Sequence, residues 1–109
     1  MNVPELCFHL RNRRRMYLLD DRYVTAVAFI DGFNAALDGV PLDGFDEWVS
    51  ERILGRRSSS HWAYVVAAVR VPSVFDPQMG IGGIPSEFNL DLVEDAIHLI
   101  EEFHSRLET

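Results

Sequence analysis

The amino-acid sequence predicts an all-α fold, a compact bundle of four or five helices with a central apolar helix. Apolar residues recur at helical spacing in separate segments, most clearly over Ala26–Leu37 and Val93–Leu107. Cap and stop residues bracket such segments, with Asp20 or Asp21 before the second helix and Gly39 and Pro41 after it. A length of 109 residues, with 48% apolar and 25% charged composition, fits one globular domain over residues 1–109. A chain of this size can bury roughly 60–70% of the surface it exposes when unfolded.

The first helix is read over residues 4–15. Pro4 can open it, because proline is tolerated in the first turn. Leu6, Cys7, Phe8 and Leu10 are apolar, without a clean period. Met16–Leu19 is a short apolar link. In the second helix Ala26, Phe29, Ile30, Phe33 and Leu37 form one face, capped by Asp20 or Asp21. Gly32 sits mid-helix, which costs about 1 kcal/mol against alanine. A close helix–helix approach would explain it, and a ligand pocket would too. Asp43 caps the third helix, with Phe45, Trp48, Val49 and Ile53 inside and Gly55 at its end.

After a polar connection over residues 56–60, Ser59 or Ser60 can cap the next segment. His61–Val71 is apolar nearly all round, which marks a central buried helix. The alternative is an α+β fold with residues 61–71 as a strand, since the segment is rich in β-branched valine. Residues 72–88 contain Pro72, Pro77, Gly80, Gly82, Gly83 and Pro85, and read as a long loop. The last helix runs from about Leu90 to Leu107, capped by Asn89. Its inner stripe is Val93, Ala96, Ile97, Ile100, Phe103 and Leu107.

Charge is distributed unevenly. Residues 71–109 hold Asp76, Glu87, Asp91, Glu94, Asp95, Glu101, Glu102 and Glu108 against Arg106 alone. Residues 1–70 are balanced, so the net charge of −7 falls on the C-terminal segment. A concentrated acidic face favours basic partners and disfavours nucleic acid. The opposite feature is Arg11, Arg13, Arg14 and Arg15. Four arginines in five positions could bind an anion, but the favoured reading is a solvated helix end with Glu5, Asp20 and Asp21 as salt partners. No apolar run is long enough to span a membrane and no signal-peptide core follows Met1, so the expected place is the cytoplasm. Cys7 is the one cysteine, which excludes an internal disulfide and a cysteine-based zinc site.

Chemistry-bearing patterns are weak. Asp95, His98 and Glu102 lie at i, i+3 and i+7 on one helical face, but a di-iron bundle needs a second Glu-x-x-His helix and the chain has none. Cys7 with His9, or Ser58–Ser60 with His61, lacks the spatial assembly that a nucleophile–base pair needs. Gly80-Ile81-Gly82-Gly83 has no following Gly-Lys-Ser/Thr, and the chain has no lysine. The expectation is therefore a chain without catalytic residues, metal or cofactor.

Arg13–Tyr17, followed by Phe29-Ile30-Asp31-Gly32-Phe33-Asn34-Ala35-Ala36, then Phe45-Asp46-Glu47-Trp48 and His61-Trp62, resembles a group of small actinobacterial proteins. Their pattern is roughly Arg-Pro-x-Met-Tyr, then Phe-x-x-Gly-Tyr, then Phe-x-x-Trp. The likeness covers about residues 10–72. Arg14 stands where proline is expected, and Phe33 where tyrosine is commoner. Some such proteins look like immunity partners of bacterial toxins. The resulting expectation is a protein-binding domain that engages a basic partner through Asp91, Glu94, Asp95, Glu101 and Glu102. The other expectations are a self-associating scaffold, exposing an apolar patch around Ile81 and Ile84, and last an enzyme with an unrecognised pocket.

Overall fold

The computed structural model describes residues 1–106; Leu107 and Glu108, assigned above to the last helix and the acidic segment, lie outside them. It contains α1 (Val3–Asn12), α2 (Tyr23–Ala36), α3 (Phe45–Leu54), α4 (Trp62–Arg70) and α5 (Asn89–Ser105). No strand occurs among the described residues, so the all-α reading stands and residues 62–70 are helix. α4 buries Trp62, Ala63, Val65, Val66 and Ala67, as an apolar helix should. The element that touches all four other helices is α5. Its stripe of Leu92, Val93, Ala96, Ile97, Ile100 and Phe103 is almost fully buried. Each large side chain so removed from water contributes about 1.5–3 kcal/mol of transfer free energy.

The local rules place the helices, but several ends differ from expectation. α1 begins at Asn2, whose side chain accepts from the Glu5 N–H while Glu5 returns a bond to the Asn2 N–H. Pro4 follows within that first turn. Its buried face is Val3, Leu6, Cys7 and Leu10, a regular i, i+3, i+4, i+7 set with Cys7 acting as an apolar residue. The helix stops at Asn12 rather than Arg15, and residues 14–16 make a separate 3-10 turn.

Three N-termini are capped by other means than the sequence suggests. Asp20 accepts from the Arg22 N–H, forming the turn before α2, and the first N–H of α2, on Tyr23, goes to Asn89 Oδ1 at 2.8 Å. Asn89 is thus the first residue of α5 and caps α2, not its own helix. Gly44, in the left-handed region at φ 81°, starts α3 in place of Asp43. α4 is capped by His61, whose Nδ1 accepts from Ala63 N–H, and by Asp46 of α3, which accepts from Trp62 N–H at 2.7 Å. Ser59 and Ser60 do not cap it.

Residues 72–88 fold as three 3-10 turns over Pro72–Phe75, Ile81–Gly83 and Ser86–Phe88. Val74 and Ile84 are buried in the core, and Met79, Ile81 and Phe88 pack against it. The expected apolar patch around Ile81 and Ile84 is therefore absorbed by the fold. Arg22 donates to Gly82 O at 2.6 Å and ties this segment to the start of α2. Gly80 takes φ 59° and lies against the Tyr64 hydroxyl, so these glycines serve a turn.

Gly32 has no close helix neighbour. A methyl group placed on it would meet nothing within 4 Å. Gly32→Ala is expected to stabilise the protein by about 0.5–1 kcal/mol. Urea denaturation of the two chains checks this, and an unchanged or lower midpoint would refute it.

Candidate functional site

The acidic helix is laced to the rest of the molecule by arginines from far along the chain. On one rim of α5, Arg11 of α1 donates through Nε to Glu94 at 3.0 Å and through Nη1 and Nη2 to Glu101 at 3.1 and 2.9 Å. His98 stands between those two acids, with Nε2 3.3 Å from Glu94. On the other rim, Arg70 of α4 makes a two-pronged contact with Asp95 at 2.6 and 3.1 Å and lies 3.8 Å from Asp91. Arg52 of α3 donates to Glu102 at 2.9 Å. All five expected partner-binding acids, Asp91, Glu94, Asp95, Glu101 and Glu102, thus have an intramolecular arginine. Reading the sequence along its length missed Arg11, Arg52 and Arg70.

Between the second rim and its neighbours runs an open groove of about 510 Å³. Ile53 from α3, Val66 and Val69 from α4, and Leu99 from α5 give it an apolar floor. The Arg52–Glu102 and Arg70–Asp95 pairs cross it as two charged bars, and His98 stands at its edge. Asp95 and Glu102 are seven residues apart, about 10 Å along the helix axis. Each is drawn to its own arginine, so Asp95, His98 and Glu102 do not converge. Among the described residues no cluster of three or more His, Cys, Asp or Glu is placed to hold a metal ion.

The groove has the size of a small ligand pocket and the composition of a protein contact surface, apolar within and charged at the rim. Glu102 and Asp91 retain unused carboxylate lone pairs, because each meets one guanidinium. Val69 is 64% exposed and adds free apolar area.

The nucleophile patterns lead elsewhere. His61 Nε2 donates to Asp31 Oδ2 at 2.9 Å while Nδ1 accepts from Ala63 N–H, so neither ring nitrogen faces a serine. Ser58 Oγ shares a hydrogen bond with buried Ser50. Asp31 also receives the Trp62 indole N–H at 3.2 Å, which satisfies the one polar atom of that buried ring. Cys7 lies in the core, and burial pushes its thiol up to about 11. The arginine cluster is partly a helix end, as expected. Arg14 donates to Leu10 O, and both Arg14 and Arg15 pair with Asp21. No helix among the described residues is long and apolar enough to cross a membrane.

No family model matches the chain, and neither a curated protein nor a solved structure matches it.

Two outcomes follow from these contacts. The hydrogen bond from Arg11 holds the Glu101 carboxyl below its usual range. A lowered native value favours folding above the carboxylate range, and that gain is lost as pH falls through it. Arg11→Met should therefore cost about 0.5–1 kcal/mol near neutral pH, the size of a partly exposed pair. The difference from the parent chain should shrink in acid. Urea midpoints measured across that pH range check it, and a pH-independent difference would exclude the assignment. Cys7 should resist a thiol reagent at neutral pH in the folded protein and react at once in denaturant. Rapid labelling of the native chain would contradict its burial.

Proposed function

We propose that this chain is a protein-binding domain that receives a basic partner at the groove between α3, α4 and α5. The observation that carries the reading is the joining of an apolar floor to carboxylates with spare acceptor capacity, in a molecule of net charge −7. A partner would insert an apolar side chain between the two bars, against Val69, Leu99 and Ile53. Flanking lysines or arginines would then face Asp91, Asp95 and Glu102. Glu94 and Glu101 lie on the other rim, toward α1, and add to the long-range attraction rather than to the contact. Complementary charge of this kind speeds encounter and rejects acidic competitors.

An immunity-type protein, which covers the basic surface of a toxin, is the form of this function that the resemblance over residues 10–72 supports. In that role the arginine bars set the register. A partner's cation that displaces Arg52 or Arg70 must replace its hydrogen bonds, so only a well-placed one gains.

Val69→Arg tests the proposal, because Val69 is exposed and its replacement leaves the core intact. The tagged parent chain, recovered from its own host at low salt, should bring down a stoichiometric basic protein that added salt releases. Val69→Arg should reduce that capture at least about tenfold, as for loss of a central apolar contact. Equal capture by both chains would sink the groove as the docking site.

A further inference from the structure

A second surface of the molecule, away from the α3–α4–α5 groove, has the makings of an interface. Phe8 is 48% exposed, Met16 71% and Leu19 100%. Exposed Tyr17 joins them, for the His9 ring lies 5.6 Å from Phe8 and 4.9 Å from Tyr17. Beneath them His9 Nδ1 is buried without a hydrogen-bond partner. The Arg13 guanidinium lies over the Phe8 ring at 5.5 Å and has no carboxylate within ion-pair reach among the described residues. Arg15 touches Asp21, yet its side chain is 82% exposed. A depression of about 400 Å³ runs through the turn between Arg11 and Met16. Aromatic residues, methionine and arginine are the types enriched in protein contacts.

We infer that this turn after α1 docks a second copy of the same chain, through that copy's α2–α3 loop and the first turn of α3. The charge of the patch selects the occupant. Two copies facing each other across a two-fold axis would set Arg13 and Arg15 against their own equivalents, and like charges placed so repel. The patch requires carboxylates, and the chain itself presents them. No arginine lies between Arg22 and Arg52. In that interval Asp38, Asp43 and Glu47 are exposed and have no cation within ion-pair reach among the described residues. Leu37 and Val40 stand exposed in the same loop. One copy thus offers arginine with apolar anchors, and the next offers carboxylates with apolar anchors. The contact is head-to-tail, which closes into a ring or extends as a chain.

Sedimentation of the parent chain over a range of concentrations, beside Arg13→Glu and Glu47→Arg, tests this. The parent should self-associate, and each variant should do so about tenfold more weakly, as for loss of one interfacial charge pair. Mixing the two variants should restore a one-to-one pair, because the intact turn of one meets the intact loop of the other. Circular dichroism confirms that each variant folds, and Asp43→Arg substitutes for Glu47→Arg if that chain does not. Val69→Arg should leave the assembly unchanged, which separates this surface from the groove. A parent chain that stays monomeric, a variant that assembles like the parent, or a mixture that stays monomeric would overturn the inference. So would Arg13-dependent binding to anionic phospholipid vesicles without self-association, which would assign the patch to a lipid surface.

Discussion

The buried stripe of α5 is the constraint on which the other helices depend. α1, α2, α3 and α4 each lie against it, and none of those four touches all of the others to the same degree. A helix surrounded in this way has only its rims left for polar residues. On α5 those rims are acidic, and arginines of α1, α3 and α4 meet them. The uneven charge of the sequence is thus in large part a record of how the chain folds back on itself. The pairs join residues 83, 90, 50 and 25 positions apart. Charges segregated along the chain are reunited in space, and the exposed acids Asp38, Asp43 and Glu47, between Arg22 and Arg52, are among those left without a cation among the described residues.

The helices themselves were legible because their apolar spacing is a local signal. Their ends were less so, because two of the caps are tertiary. A buried N–H at the start of a helix needs an acceptor, and any side chain that reaches it will serve. Asn89 supplies one to α2 and Asp46 one to α4. Nothing within a few residues of Tyr23 or Trp62 announces those partners. α1 was obscured for a different reason. Phe8 is a large apolar residue on the outside and Cys7 a small one on the inside, so an ordinary hydrophobic reading blurs a regular face. Residues 72–88 look like a linker because glycine and proline abolish their period, yet Val74 and Ile84 fill the core.

The candidate site was half legible. The acids of α5 were found from their clustering, but their pairing was hidden, because an arginine at position 11 carries no mark that it belongs beside positions 94 and 101. The groove was hidden altogether, since its floor draws on Ile53, Val66, Val69 and Leu99 from three helices. Each of those residues reads as an ordinary apolar position of its own helix. The floor they make together exists only once α3, α4 and α5 have met.

The packing of α1 on α5 also bears on the order in which the molecule can be made. A ribosome delivers the chain from its N-terminal end. The face of Val3, Leu6, Cys7 and Leu10 therefore emerges long before the helix that will cover it. A ten-residue helix is marginal on its own in water. The nascent chain must carry that apolar segment unpaired until Arg11 can reach Glu94 and Glu101, so α1 is synthesised before the other four helices and is among the last to be secured.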